Sequence, residues 1–198
     1  MPAEAGADKL PERPPTARVF FALWPPAALA EQLAETARAA AGQYGGRPTR
    51  QATIHLTLAF LGEVAESRLP EIVRCASTIK AAPFELQLDH LGFWAHNRLL
   101  WAGCSVVPPA LQQLVGDLQQ NLRLAGYPPD SGGHGFTPHL SLLRRVPAAR
   151  APAAMAPVAA LAMPGWSCHS FVLVRSQLSS LGSDYQIIDE FPLAGRLA

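Results

Sequence analysis

Two short segments of this chain are near copies of one another: His55-Leu56-Thr57-Leu58 and His139-Leu140-Ser141-Leu142. Each reads imidazole, apolar, hydroxyl, apolar. In an extended strand successive side chains point to opposite faces, so the His and the Thr or Ser of each segment share one face while the leucines enter a core. An imidazole can give or take a proton near neutral pH, and a hydroxyl can hydrogen-bond an anionic oxygen. Presented twice, the pair suits an anion held between two imidazoles, which is the arrangement phosphate-ester chemistry needs.

The elements that must position these residues are repeated as well. An apolar run, Phe20-Phe21-Ala22-Leu23-Trp24, reaches Pro25-Pro26 and a helical pattern before His55. Leu100-Trp101-Ala102 and then Val106-Val107 lead to Pro108-Pro109 and a second helical pattern before His139. Pro26 precedes His55 by 29 positions and Pro109 precedes His139 by 30. Proline suits the first helical turn, where the missing N–H has no intrahelical partner anyway. The chain is thus strand, Pro-Pro, helix, loop and His-strand, twice, too few copies for a solenoid. A duplication about a pseudo-two-fold axis brings the two His-strands face to face across a cleft.

Composition sets the bounds. At 198 residues, 49% hydrophobic and 16% charged, the chain has material for one compact domain or two closely packed lobes. A formal charge of +1 excludes the basic surface of a long-duplex binder, so any nucleic-acid contact must be local. No apolar run approaches the roughly 18 residues a membrane span needs. Residues 1–16, rich in Pro, Ala and charge, are expected to be a disordered extension, with residues 17–198 forming the single bilobal domain. Cys75, Cys104 and Cys168 make neither a disulfide framework nor a zinc signature and fit a reducing cytoplasm.

The pattern predicts strands at 18–24, 55–61, 84–94, 99–106, 168–175 and 185–193, and helices at 27–41, 67–80 and 110–125. The last helix has Leu111, Leu114, Val115, Leu118 and Leu122 on one stripe and Gly126 as its stop. A Gly/Pro loop, Tyr127 to Pro138, delivers the chain to His139 and carries His134. The fold class is α/β (α+β), bilobal and duplicated, with two largely antiparallel sheets facing a central cleft and helices outside.

These residues resemble a known family. The paired His-x-Thr/Ser strands are similar to the two-histidine (2H) phosphoesterases. The wording of Arg18–Leu23, His55–Gly62 and Phe136–Arg144 narrows the likeness to bacterial RNA 2′,3′-cyclic phosphodiesterases, also called 2′-5′ RNA ligases. The resemblance spans about Arg18 to Leu193. It implies a bilobal fold and hydrolysis of 2′,3′-cyclic phosphate ends to a 2′-phosphomonoester, with no metal and no cofactor. By the same resemblance His55 is the proton donor to the leaving ribose oxygen and His139 the acceptor from water. Thr57 and Ser141 bind phosphate oxygens, and Arg144 supplies charge. Ser141 stands where Thr is usual, keeping the hydroxyl and losing a methyl. Residues 47–51 lack the aromatic often found there.

Blander readings compete. His90, His96 and His169 have no evident partner and are taken as packing or surface residues. Strict alternation puts Phe60 on the core face, which leaves Phe136, on the loop, as the candidate for stacking on a base. A metal site needs three or four converging ligands, and no third ligand accompanies the two motif histidines at a recognisable spacing. The expected partners are RNA ends or small cyclic nucleotides, with no membrane, and the chain is expected to act as a monomer. Action on another cyclic or 2′-5′-linked nucleotide, 2′-5′ RNA ligation, and non-catalytic RNA-end binding remain the alternatives. Binding alone is better served by Arg or Lys than by two imidazoles.

Overall fold

A computed structural model describes residues 14–129, 135–152, 159–160, 163–179 and 182–195. The proposed extension lies outside the described residues for positions 1–13, as does His134; the first strand already begins at Thr16. The strands are β1 (Thr16–Leu23), β2 (Arg47–Pro48), β3 (Leu56–Ala65), β4 (Phe84–Leu86), β5 (His90–Trp94) and β6 (Leu99–Gly103). They continue as β7 (His139–Arg144), β8 (Ala159–Ala160), β9 (Trp166–Cys168), β10 (Ser170–Ser179) and β11 (Gly182–Pro192). The helices are α1 (Ala27–Tyr44), α2 (Leu69–Ser77) and α3 (Pro109–Leu124).

The duplicated frame is real: β1, α1 and β3 form one unit, and β6, α3 and β7 the other. Pro26 and Pro108 cap the two helices, with carbonyls accepting from Ala30 at 3.0 Å and Gln112 at 3.1 Å. At the far end of α3, Gly126 takes φ +84° and closes the helix, its N–H donating to the Arg123 carbonyl.

The α/β class and antiparallel pairing agree with the expectation, with one refinement. The two expected sheets are halves of a single sheet, ordered β11-β10-β1-β3-β7-β6-β5-β8, and β4 pairs with β9 in a separate ribbon. The halves join through one pair between β3 and β7, Leu56 with Leu140. Beyond it the strands diverge, and β2 runs beside β7 instead, Arg47 opposite Arg144. The stretch 84–94, expected as one strand, is divided because its two ends belong to different sheets.

The helices pack on one face of this sheet. The main core there combines Leu33, Ile72 and Leu114 from the helices with Phe21, Leu56 and Leu140 from the strands. Full burial of side chains of this size contributes about 1.5–3 kcal/mol each. The opposite face is left for the cleft.

Candidate active site

At the seam both Leu56 and Leu140 are fully buried on the helix side, which turns His55, Thr57, His139 and Ser141 to the other face. Antiparallel register carried one step either way sets His55 beside Ser141 and His139 beside Thr57. The four motif side chains thus line one cleft of about 730 Å³, as the duplication required.

Both imidazoles are held alike. His55 Nδ1 lies 2.8 Å from the Thr53 carbonyl and His139 Nδ1 lies 2.9 Å from the Thr137 carbonyl. A carbonyl only accepts, so Nδ1 carries the hydrogen in each ring and Nε2 is the atom left to exchange a proton. Aromatic walls desolvate both rings. Trp24 lies parallel to His55 at 5.6 Å, with Phe20 at 4.7 Å and Tyr185 edge-on at 5.2 Å. Trp94 and Trp101 stand at 4.5 and 6.4 Å from His139.

Burial accordingly pushes His55 down to about 4, only partly offset by the Thr53 carbonyl, and the Arg144 charge and His139 add to the fall. His139 is lowered by burial and by Arg144, against the Thr137 carbonyl. In the free cleft both rings are therefore neutral at pH 7. An anion between them reverses the penalty, because it favours the imidazolium.

Arg144 reaches this site through a β-bulge. It is an odd number of positions from His139, so strict alternation would send it into the core. The pairing steps from Trp101–Ser141 to Leu100–Leu143, leaving Leu142 extra, and Leu142 and Leu143 are both buried. One added residue restores Arg144 to the cleft face, where its guanidinium donates to the Ser141 hydroxyl at 3.3 Å.

The same device overturns the reading of Phe60. The register of β3 on β1 shifts between Phe21–Ala59 and Ala22–Thr57, so Leu58 and Ala59 are both buried and Phe60 turns into the cleft. Phe136 is a correction in the other direction. Its side chain packs against the helix-side core and is not among the cleft-lining residues. Its strand approach, Thr137-Pro138-His139, commits the preceding side chain to the far face.

Sequence reasoning also missed the cleft's charge. Arg18, Arg47, Arg50 and Arg145 join Arg144 in its walls, and among the described residues no acidic side chain lines it. Arg50 is tied to Asp184 at 2.7 Å, which fastens the β10–β11 hairpin to the cleft rim. A basic cleft on a nearly neutral chain is the local contact that composition allowed. His90, His96 and His169 stay outside it; His90 Nδ1 bonds Asp89 at 2.8 Å. Among the described residues no group of three or more His, Cys, Asp or Glu side chains converges as metal ligands, and no helix is long and apolar enough to cross a membrane.

The family described as LigT like Phosphoesterase matches residues 23–101. An RNA 2′,3′-cyclic phosphodiesterase of Escherichia coli is 35% identical over 127 residues, 64% of this chain and 71% of that protein. A protein of the same name from Thermus thermophilus is 27% identical over 193 residues, covering 90% of this chain and 91% of its own length. The crystal structure of E. coli LigT complexed with 3′-AMP matches with a TM-score of 0.77 and 28% identity, over 90% of this chain and 99% of that one. With the duplicated His motifs, the shared fold and this likeness in hand, the chain belongs to the LigT-like phosphoesterase family.

Proposed function

We propose that this protein hydrolyses RNA or nucleotide 2′,3′-cyclic phosphate ends to 2′-phosphomonoesters by two-histidine acid–base catalysis. The observation that carries the reading is the pair of imidazoles with Nδ1 pinned to carbonyls and Nε2 left to exchange protons, on one cleft lined by arginines and, among the described residues, by no carboxylate. Relatives that carry the name of this activity support the substrate class.

The phosphate lies between the rings with its non-bridging oxygens toward Thr57, Ser141 and Arg144. His139 Nε2 takes a proton from water as the water oxygen bonds to phosphorus. The P–O3′ bond breaks on the opposite side, and His55 Nε2 gives its proton to the departing O3′. The product keeps the phosphate on O2′ and gains a free 3′-hydroxyl. Arg144 and the hydroxyls stabilise the charge that grows on the non-bridging oxygens. Each positioned proton transfer is worth about 10²–10⁴ in rate. No step calls for a Lewis acid.

Both histidines and both hydroxyls come from one copy, so a monomer suffices. Three cysteines, all free, suit a reducing cytoplasm. The test is an oligoribonucleotide ending in 2′,3′-cyclic phosphate, incubated with EDTA. A 2′-phosphate product in undiminished yield supports the reading. A 3′-phosphate product, or activity that disappears in EDTA and returns with a divalent ion, overturns it.

A further inference from the structure

The carbonyl that holds His55 stands at the end of a relay that begins on the cleft rim. His55 Nδ1 donates to the Thr53 carbonyl at 2.8 Å. Thr53 is held in turn by the Arg50 carbonyl, which accepts from its N–H at 2.8 Å and its hydroxyl at 2.9 Å. The Arg50 guanidinium then reaches the β10–β11 hairpin, where it pairs with Asp184 at 2.7 Å and donates to the Ser183 carbonyl. Arg50 and Asp184 are 134 positions apart, so this anchor is a product of the fold and not of the local chain.

The approach to His55 is thereby moored on two sides. On one, β2 runs beside β7, and the Thr49 N–H donates to the Leu142 carbonyl at 2.8 Å. On the other, Arg50 supplies the side-chain link to β11. The residue after Asp184, Tyr185, meets the His55 ring edge-on at 5.2 Å. One hairpin thus bears on the imidazole twice, through its ring and through the carbonyl that takes its hydrogen.

Arg50 and Asp184 are exposed, and an exposed ion pair adds little to stability. Its weight falls on geometry instead. In a neutral imidazole, the hydrogen bond made by one nitrogen decides where the proton sits. If the Thr53 carbonyl drifts, the hydrogen can move to Nε2. That nitrogen then lacks the lone pair with which it takes up the proton it later gives. We propose that Asp184 is a positioning residue for His55, acting through Arg50 and Thr53 to hold the Nδ1–H tautomer. The tautomer stands apart from the reaction, whereas its effect on rate rests on the two-histidine hydrolysis proposed above.

The test is nitrogen NMR of the histidine rings at about pH 7, where both motif rings are neutral. His139 serves as the internal control in wild type, Asp184→Ala and Arg50→Ala. Wild-type His55 carries its hydrogen on Nδ1. In each variant His55 shifts toward the Nε2–H tautomer while His139 keeps its wild-type pattern. On an oligoribonucleotide 2′,3′-cyclic phosphate, Asp184→Ala lowers kcat on the order of tenfold and moves KM less than about threefold, as a displaced catalytic group does. Asp184→Glu keeps the carboxylate and recovers both readouts. The proposal is overturned if His55 keeps its tautomer in the variants, if His139 shifts equally, or if wild-type His55 is already Nε2–H. It is overturned as well if Asp184→Ala changes KM alone, or if Asp184→Glu recovers neither readout. Should the variants fail to fold, wild-type spectra at low salt and at about 1 M NaCl decide, because salt screens an exposed pair. A His55 pattern that salt leaves unchanged then overturns the proposal. Absence of hydrolysis by wild type refutes the proposed reaction instead, leaving the tautomers to test the relay.

Discussion

Leu56 on β3 pairs with Leu140 on β7, and among the described residues this is the pair that joins the two halves of the sheet. Each leucine is the residue after a motif histidine, so the stitch that closes the core also fixes the separation of the imidazoles. Replacing Leu140 by Ala is expected to cost about 2–5 kcal/mol of stability, the range for emptying a fully buried leucine site. The rate at a permissive temperature should fall as well. Chemical denaturation and steady-state kinetics on one preparation check both, and an unchanged rate would show that the seam does not set the geometry.

The depressed imidazoles predict an acid-shifted profile. The kcat/KM curve reports the free enzyme, in which His55 titrates near 4 and His139 is also lowered. Its optimum should lie below pH 6.5, to the acid side of the kcat optimum, because bound phosphate raises both rings. The sign for stability follows from the same shift. Between pH 6.5 and 4 the unfolded chain binds protons that the folded cleft refuses, so stability falls as pH falls through that window. Rate profiles and melting curves from pH 4 to 8 test this; a kcat/KM optimum at pH 7 or above contradicts it.

Arg144 has two opposed effects. In the proposed mechanism it attracts phosphate, and its charge lowers both imidazoles. Arg144→Ala should therefore raise KM and lower kcat, on the order of 10²-fold in kcat/KM, while moving the acid limb of the kcat/KM profile upward. A variant with weakened binding but an unmoved profile would remove Arg144 from the vicinity of the rings.

Trp101 lies flat across two glycines, and beside His139. A Cβ on Gly92 would fall 2.1 Å from Trp101 Cζ2, and one on Gly103 would fall 2.4 Å from Cζ3. Gly92→Ala must displace the indole, so kcat should drop tenfold or more with a smaller change in KM. Combining it with Trp101→Phe should recover part of the loss, since the smaller ring leaves room. The indole N–H is buried with no partner among the described residues, so Trp101→Phe alone should cost little stability. Kinetics of the two single variants and the double variant decide; equal kcat in Gly92→Ala and wild type would refute the link.

Much of this was legible in the chain. The His-x-Thr/Ser copies marked the cleft face because period-two alternation holds over three residues. Pro26 and Pro109 marked the helices because proline is admitted only at a helix start. Alternation failed where a bulge intervened: it sent Phe60 to the core and would have misplaced Arg144, because an inserted residue leaves no compositional mark. Gly62, just past the strand expected at 55–61, instead sits within β3 at φ +71°. Phe136 looked like a cleft residue because its loop leads to His139, yet its side chain turns to the helix side. The arginines scattered over Arg18, Arg47–Arg50 and Arg144–Arg145 converge only through pairing between distant strands, which no local pattern encodes.

The central claim is that His55 and His139 act as one acid–base pair on a single phosphate. Single-turnover hydrolysis of an oligoribonucleotide 2′,3′-cyclic phosphate by wild type, His55→Ala, His139→Ala and the double variant tests it most directly. Each single variant should lose at least about 10²-fold, and the double variant should be scarcely slower than either, because a pair that acts as a unit is lost with its first member. Losses that multiply in the double variant, or a single variant keeping more than about a tenth of the rate, would contradict the account.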